Sequence, residues 1–303
     1  MLVKNTNNKE LYGSSIVKLR HSSKALSFMS TANDNQLPHL GFQLFAPSAK
    51  LAPYVQSYWF IKSGQHSIST SEYLHPDGGM SIMFNYSNSL KFDDGIDVGH
   101  TLFDGAHTST RAIHLKGKFD VIGIRFLPAG ARAFLAMPLN ELKSELLPSA
   151  DIPLSGQEEL YQKLAEASSY SEKTSLIETW LYNIIKPESN ALHVINAALD
   201  IVNRHHGDVS IAEVANRLDL NQRRLERLFN DQVGLTAKEY ARNKRIKQAR
   251  FFLKQHPELS LAEVAYDLGF YDQAHFSKQF KKVVGLSPKV YATKSQINSS
   301  ESS

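Results

Sequence analysis

Two short segments carry side chains suited to hydrogen-bonding a flat partner presented edge-on. In Gln222–Asp231, Arg223, Glu226, Arg227 and Asn230 share one face by i,i+3 and i,i+4 spacing, while Leu225, Leu228 and Phe229 form the opposite, apolar stripe. In Asp272–Lys282, Phe276 and Phe280 turn inward; Ala274, His275, Lys278 and Lys281 lie outward, with Gln273 at the N-terminal end. Arg and Lys donate to guanine O6 and N7, Gln pairs with adenine, Glu accepts from cytosine N4, and a small apolar group touches the thymine methyl. One such face would serve equally as a solvated helix surface. Two in a duplicated frame favour base reading.

The frame is an internal repeat. Ser210-Ile-Ala-Glu-Val-Ala-Asn-Arg-Leu218 returns as Ser260-Leu-Ala-Glu-Val-Ala-Tyr-Asp-Leu268, and Val233-Gly-Leu-Thr-Ala-Lys-Glu-Tyr240 returns as Val284-Gly-Leu-Ser-Pro-Lys-Val-Tyr291. In each copy a Ser with Glu three residues on (Ser210 and Glu213, Ser260 and Glu263) forms a capping box that starts a helix. Ile211, Val214, Ala215 and Leu218, like Leu261, Val264, Ala265 and Leu268, then fall at helical spacing. A turn follows, with Asn221 or Asp272 as the next N-cap, and the second helix ends at Gly234 or Gly285. Thr236 with Glu239, and Ser287 with Pro288, start a third helix. Each copy therefore reads as a helix-turn-helix.

Charge is distributed accordingly. From Ala191 onward there are 17 Lys and Arg against 12 Asp and Glu, whereas residues 1–190 hold 17 against 18. Between Asn221 and Arg250 nine basic residues face only Glu226, Asp231 and Glu239. Such a stretch can serve as a solubilising face; beside recognition helices it is expected to neutralise phosphates. Arg242, Lys244, Lys281 and Lys282 are the expected backbone contacts, which position without specifying.

The stretch from about Ile195 to Tyr291 resembles the AraC/XylS family of bacterial transcription regulators, especially in Arg224-Leu-Glu-Arg-Leu-Phe229, Gly234-Leu-Thr-Ala-Lys-Glu-Tyr240, Ala262-Glu-Val-Ala-Tyr-Asp-Leu-Gly-Phe270, Phe276-Ser-Lys-Gln-Phe280 and Gly285-Leu-Ser-Pro288. The resemblance implies two helix-turn-helix units on a long linker helix, here Ala237 to about Lys254, with both recognition helices in successive major-groove segments on one face of the duplex. By motif position it places Arg223, Glu226 and Arg227 at the base-reading sites of the first unit and Gln273, Ala274, His275 and Lys278 at those of the second. Glu226 departs from the pattern: it either selects cytosine or ties up Arg223 or Arg227. The sequence leaves both open.

The rest of the chain is expected to be α+β. Residues 1–36 read as a polar, flexible arm, and 37–186 as a β-rich, barrel- or cupin-like domain closed by a helical pair at 157–185. Strands are expected at Gly41–Phe45, Val55–Ile61, Met80–Phe84, Ile113–Leu115 and Val121–Phe126. A polar hinge at 187–190 (Lys186–Asn190 at its widest), the DNA-binding domain at 191–292 and a flexible tail at 293–303 complete the plan. Tyr54-Val-Gln-Ser-Tyr-Trp59, His75-Pro-Asp-Gly-Gly79 through Asn85, and Ile122–Arg132 leading into Pro138–Leu142 resemble a sensor-like domain found ahead of the same DNA-binding unit. By analogy with the wider family, that domain binds a small effector and dimerises the chain. Trp59, His75, Asp77 and Arg125 are the candidate effector contacts, although Asp77 reads more readily as a turn residue capping backbone amides.

Other chemistry is disfavoured. The chain has no cysteine, which removes disulfides, thiolate zinc sites and the nucleophile of the alkyl-acceptor repair sensors that share this DNA-binding fold. His100, His107 and His114 recur every seven residues, an odd interval that alternates faces along a strand, so no metal is expected. No Ser-His-Asp elbow, P-loop or dinucleotide fingerprint appears, and neither an enzyme nor a cofactor is expected. No apolar run suits a signal peptide or membrane helix, so the expected place is the bacterial cytoplasm, at the nucleoid when bound. The implied partners are double-stranded DNA, RNA polymerase, a small effector and a second copy of the chain. A regulator modulated by an effector, as activator or repressor, is the expected mode, with the change transmitted across the 186–190 hinge; an architectural or constitutive binder without effector is the alternative.

Overall fold

The computed structural model describes residues 41–301 apart from 64–67, 88–89, 93–94, 96–98 and 188. The arm expected over residues 1–36 lies outside the described residues. Residues 41–301 fall within one compact unit.

Its N-terminal domain is two antiparallel sheets. β1 (Gln43–Phe45), β2 (Val55–Lys62), β8 (Asp120–Phe126), β4 (Ser81–Asn85), β6 (Thr101–Asp104) and β9 (Leu146–Pro148) pair in that order, and β3 (Ile68–Leu74), β7 (Arg111–Gly117) and β5 (Leu90–Phe92) form the second sheet. The expected strands are present, joined by β3, β5, β6 and β9, but the larger sheet is open between β1 and β9 rather than closed into a barrel. β9 is short and ends on Pro148, which has no N–H with which to extend a ladder.

Alternation along the strands divides the side chains. Tyr58 and Phe60 on β2, Ile82 and Phe84 on β4, and Ile122 and Ile124 on β8 share one core with Leu160, Leu164, Ile177, Trp180 and Leu181. Those last five belong to α1 (Gln157–Glu166) and α2 (Tyr170–Ile184), the helical pair read from the sequence. Ser169 caps α2 by accepting from Glu172 N–H, and Trp180 Nε1 donates to Ser155 O at 2.8 Å. Met83 and Leu102, on the other face, are buried too, as are Leu90, Phe92 and Leu115 of the smaller sheet.

Among the described residues seven helices follow: α3 (Asn190–Arg204), α4 (Ile211–Arg217), α5 (Gln222–Val233), α6 (Ala237–Gln255), α7 (Leu261–Asp267), α8 (Gln273–Val284) and α9 (Pro288–Glu301). Residues 293–301, read as a tail, continue α9. Gly234 and Gly285 end α5 and α8 with φ of 81° and 84°, a left-handed conformation that costs a glycine little. Thr236 with Glu239 and Ser260 with Glu263 are full capping boxes. At Ser210 only half the box forms, because the Glu213 carboxylate pairs with Arg217 instead of reaching back.

The cores do not follow the expected hinge. One apolar core runs from the sheets through Leu192, Ile195, Leu225, Phe229 and Leu235 to Ala241, so the first helix-turn-helix unit packs as part of the N-terminal domain. Lys186 N–H donates to Ala133 O at 2.8 Å, and Ser189 caps α3, so the polar segment at 186–190 is held at both ends. The second unit has its own core, from Ile246 to Tyr291.

Candidate nucleic-acid interface

On α5, Asn221 caps the helix by accepting from Arg224 N–H at 2.8 Å. Leu225, Phe229 and Val233 are fully buried, with the Phe229 ring 5.9 Å from that of Tyr240. Burying that stripe forces the opposite face outward, and Arg223, Arg224 and Arg227 are exposed there. An open cleft of about 880 Å³ runs along this face, lined by those arginines and Asn230 and, across it, by Pro138 and Asn140 of the N-terminal domain. α8 repeats the plan: Asp272 accepts from His275 N–H at 2.6 Å, and Phe276 and Phe280 are fully buried. Gln273, Ala274, His275, Lys278, Lys281 and Lys282 are exposed. The geometry offers two polar helix faces whose guanidinium, amide and ammonium donors are suited to base edges and phosphates.

Two of the sequence-selected residues, Glu226 and Lys244, sit elsewhere. Glu226 is half-buried, and its Oε2 accepts from Ala237 N–H at 3.2 Å, at the first turn of α6. The carboxylate thus complements the positive end of the linker helix, a third alternative to selecting cytosine or tying up Arg223 or Arg227. Lys244 and Arg242 were both expected to contact the phosphate backbone, but two residues of helix separate side chains by about 200°. Lys244 is the one turned inward, its Nζ 5.0 Å from the Tyr240 ring and its pKa lowered by burial although Asp77 opposes the shift. It meets the N-terminal domain rather than a phosphate. Arg242 is half-buried.

The seam beneath α6 gathers three of the four candidate effector contacts. Asp77 accepts from Gly79 N–H at 2.8 Å, the expected turn, and pairs with Arg125, which also donates to Ser81 Oγ at 2.9 Å. Burial alone would raise the Asp77 pKa; Arg125, Lys244, the Gly79 N–H and Lys247 outweigh it and hold the carboxyl well below its ordinary value. Tyr240 packs against Gly78, where a Cβ would lie 2.7 Å from the ring. Asn243, 1% exposed, donates to His107 O at 3.3 Å. His75 Nδ1 lies 2.7 Å from Thr110 Oγ1, and burial, then Arg250, Lys254 and His107, take its pKa down to about 2. Trp59 stands further along the same face of the larger sheet as Arg125, laid over Gly123 so closely that a Cβ there would overlap its ring.

The seven-residue histidines take separate partners. His100 stacks on Tyr161 with centroids 5.1 Å apart, His107 Nδ1 lies 2.7 Å from Ser109 O, and His114 Nδ1 lies 2.7 Å from Ser71 Oγ. Among the described residues no cluster of three or more His, Cys, Asp or Glu could hold a metal, and no helix is long and apolar enough to cross a membrane.

Sequence reasoning passed over Tyr271, 92% exposed and one residue before the N-cap of α8, and Tyr266, 84% exposed on α7. An aromatic in a turn beside a recognition helix was the available signal. Asn140 was equally unmarked: only the folded chain brings it to the cleft beside α5.

Residues 214–294 match the family model of a helix-turn-helix domain, and residues 43–148 match that of a domain of unknown function, DUF6597. Curated relatives include the Msm operon regulatory protein of Streptococcus mutans, 30% identical over 151 residues (49% of this chain, 53% of that protein). The arabinose operon regulatory protein of Escherichia coli K12 is 32% identical over 128 residues (39% and 44%). The transcriptional activator RhaS of Escherichia coli O157:H7 is 35% identical over 101 residues (33% and 36%). The chain spans about half or less of the length of these relatives. Among solved structures, ToxT from Vibrio cholerae aligns with a TM-score of 0.40 at 13% identity, over 76% of this chain and 98% of that one. The C-terminal domain of AraT from Geobacillus stearothermophilus aligns at 0.33 and 26% identity, over 35% and 88%. The duplicated helices, their caps and the family match make residues 214–294 an AraC-type helix-turn-helix domain, similar in sequence to part of the operon regulators named above.

Proposed function

We propose that the protein is a sequence-specific DNA-binding transcription regulator that reads two successive major-groove segments, one with α5 and one with α8. The observation that carries this reading is the pair of helices, each with its aromatic stripe fully buried and its Arg-, Gln- or Lys-bearing face exposed, joined by α6. At 19 residues α6 is about 28 Å long, compatible with grooves one turn, about 34 Å, apart once the helices project from its ends. The base-reading group is Arg223 and Arg227 on α5 and Gln273, Ala274, His275 and Lys278 on α8, with Glu226 holding α5 to α6. Arg242, Lys281 and Lys282 supply phosphate contacts. The curated relatives named above are, by their names, operon regulators and an activator, which supports the same role. RNA polymerase as a further partner and dimerisation through the N-terminal domain are parts of the same proposal.

The N-terminal domain sets how the reading helices are presented, and a small effector acts through the seam of His75, Asp77 and Arg125 beneath α6. The thermodynamic requirement is a different effector affinity for two arrangements of that seam. Selecting bound duplexes from a random pool with the whole chain tests the assignment. Enrichment of one bipartite sequence, with affinity falling steeply as salt rises, supports it, and no enrichment at any salt concentration refutes it. Absence of any metabolite that shifts operator affinity or thermal stability would instead favour a binder without effector.

A further inference from the structure

Both reading helices end on the N-terminal domain. At the C-terminus of α5, Gly234 stands against Leu139, whose carbonyl oxygen would lie 2.7 Å from a Cβ at that glycine. At the C-terminus of α8, the Val283 carbonyl accepts from Thr110 N–H at 2.7 Å and from Thr110 Oγ1 at 2.9 Å. A helix leaves its last four carbonyls without an intrahelical donor, so Thr110 caps α8 from another domain. The single hydroxyl hydrogen goes to Val283, which leaves Oγ1 to accept from His75 Nδ1 at 2.7 Å and assigns the proton on His75 to Nδ1.

The two ends are held by different physics. α5 is set in an apolar core continuous with Leu139 and Leu142, and such packing tolerates little displacement. α8 belongs to a separate core. That core includes Ile246, Ala249, Phe252 and Leu253 of α6, and beyond this packing α8 is held by directional polar bonds: Thr110 to Val283, and Arg245 of α6, which donates to Gly207 O at 2.8 Å in the first unit and to Gly269 O at 3.2 Å in the second. The direction of α8 relative to α5 therefore depends on the packing of α6 and on a few oriented contacts, and Thr110 makes a hydrogen-bonded one from outside the DNA-binding domain, beside the edge-on contact of the His75 and Tyr291 rings at 6.5 Å.

We infer that Thr110, backed by His75, is a positioning residue for DNA recognition: it fixes the direction of α8 relative to α5 and so the base-pair spacing the chain accepts between its two half-segments. The inference rests on the two-segment reading proposed above. It makes the N-terminal domain a determinant of operator geometry without touching a base.

The test measures affinity of the full chain for duplexes carrying the two selected half-segments, with the spacer lengthened or shortened by one and two base pairs. Wild type prefers one spacing. Thr110→Val, which keeps the shape and removes the hydroxyl, reduces that preference about threefold to tenfold, the worth of one hydrogen bond. Thr110→Ser, which keeps the hydroxyl, retains the wild-type profile. Lys143→Met, which breaks the 2.8 Å ion pair to Glu239 on the first-unit side, also retains it. A Thr110→Val profile identical to wild type, or shifted by the same factor at every spacing, overturns the inference while leaving DNA reading intact. A folded wild-type chain that binds none of the duplexes overturns DNA reading and this inference with it.

Discussion

Replacing Phe280 by Ala should unfold one half of the DNA-binding domain and spare the other. Phe280 is fully buried, with ring centroids 5.6 Å from Phe276 and 5.4 Å from Tyr291, inside the core that the second unit keeps to itself. Truncating a buried Phe to Ala costs about 3–5 kcal/mol. A unit of roughly 50 residues at ~0.05–0.15 kcal/mol per residue has about 2.5–7.5 kcal/mol in total, so the loss matches most of the unit's own stability. Hydrogen exchange followed by peptide mass is the assay. Amides of α7, α8 and α9 should lose their protection while those of the sheets and of α3 to α5 keep theirs, because that core stops at Ala241. Phe229→Ala, in the continuous core, should instead loosen α5 and the turn at Leu139–Leu142 together. Protection lost evenly along the Phe280→Ala chain would refute the two-core reasoning.

Three other outcomes are expected. Asp77 titrates below its unfolded value, so its stabilisation is complete above about pH 5 and is lost as pH falls through the folded value. Asp77→Asn should cost about 1.5–3 kcal/mol at pH 7, and the gap from wild type in urea midpoint should close toward pH 2; a gap constant with pH would contradict the pairing with Arg125. Glu226→Gln should lower stability by about 0.5–1 kcal/mol through its contact with Ala237 N–H, with selected operators unchanged; a switch of preferred base would make Glu226 a reader after all. Arg227→Ala should lose about 1–3 kcal/mol of discrimination at one base pair, whereas a uniform loss on all sequences would make it a phosphate contact.

Local signals were legible because their physics is local. The caps at Ser210, Asn221, Thr236, Ser260 and Asp272, the glycine ends at 234 and 285, and the apolar stripes of α5 and α8 all depend on neighbours within a turn or two. The short strands were not legible: β5 and β9 span three residues each and β6 four, too few for alternation to show. β3, Ile-Ser-Thr-Ser-Glu-Tyr-Leu, is polar enough to read as a loop until β7 pairs with it along its whole length. Lys244 and Glu226 were misplaced for the same reason. Their partners, Asp77 and the first turn of α6, are brought close by tertiary packing, and a basic or acidic letter in a helix does not tell which neighbour claims it. The hinge at 186–190 followed from composition, but a polar segment can be fixed at both ends by backbone bonds, as Lys186 and Ser189 are.

The central claim, two helices reading one duplex, is tested most directly by a hydroxyl-radical footprint of the full chain on its selected sequence. It should show two protected tracts about one helical turn apart on one face of the DNA, with Arg227→Ala releasing one tract and Lys278→Ala the other. A single tract, or two that both variants weaken alike, would contradict it.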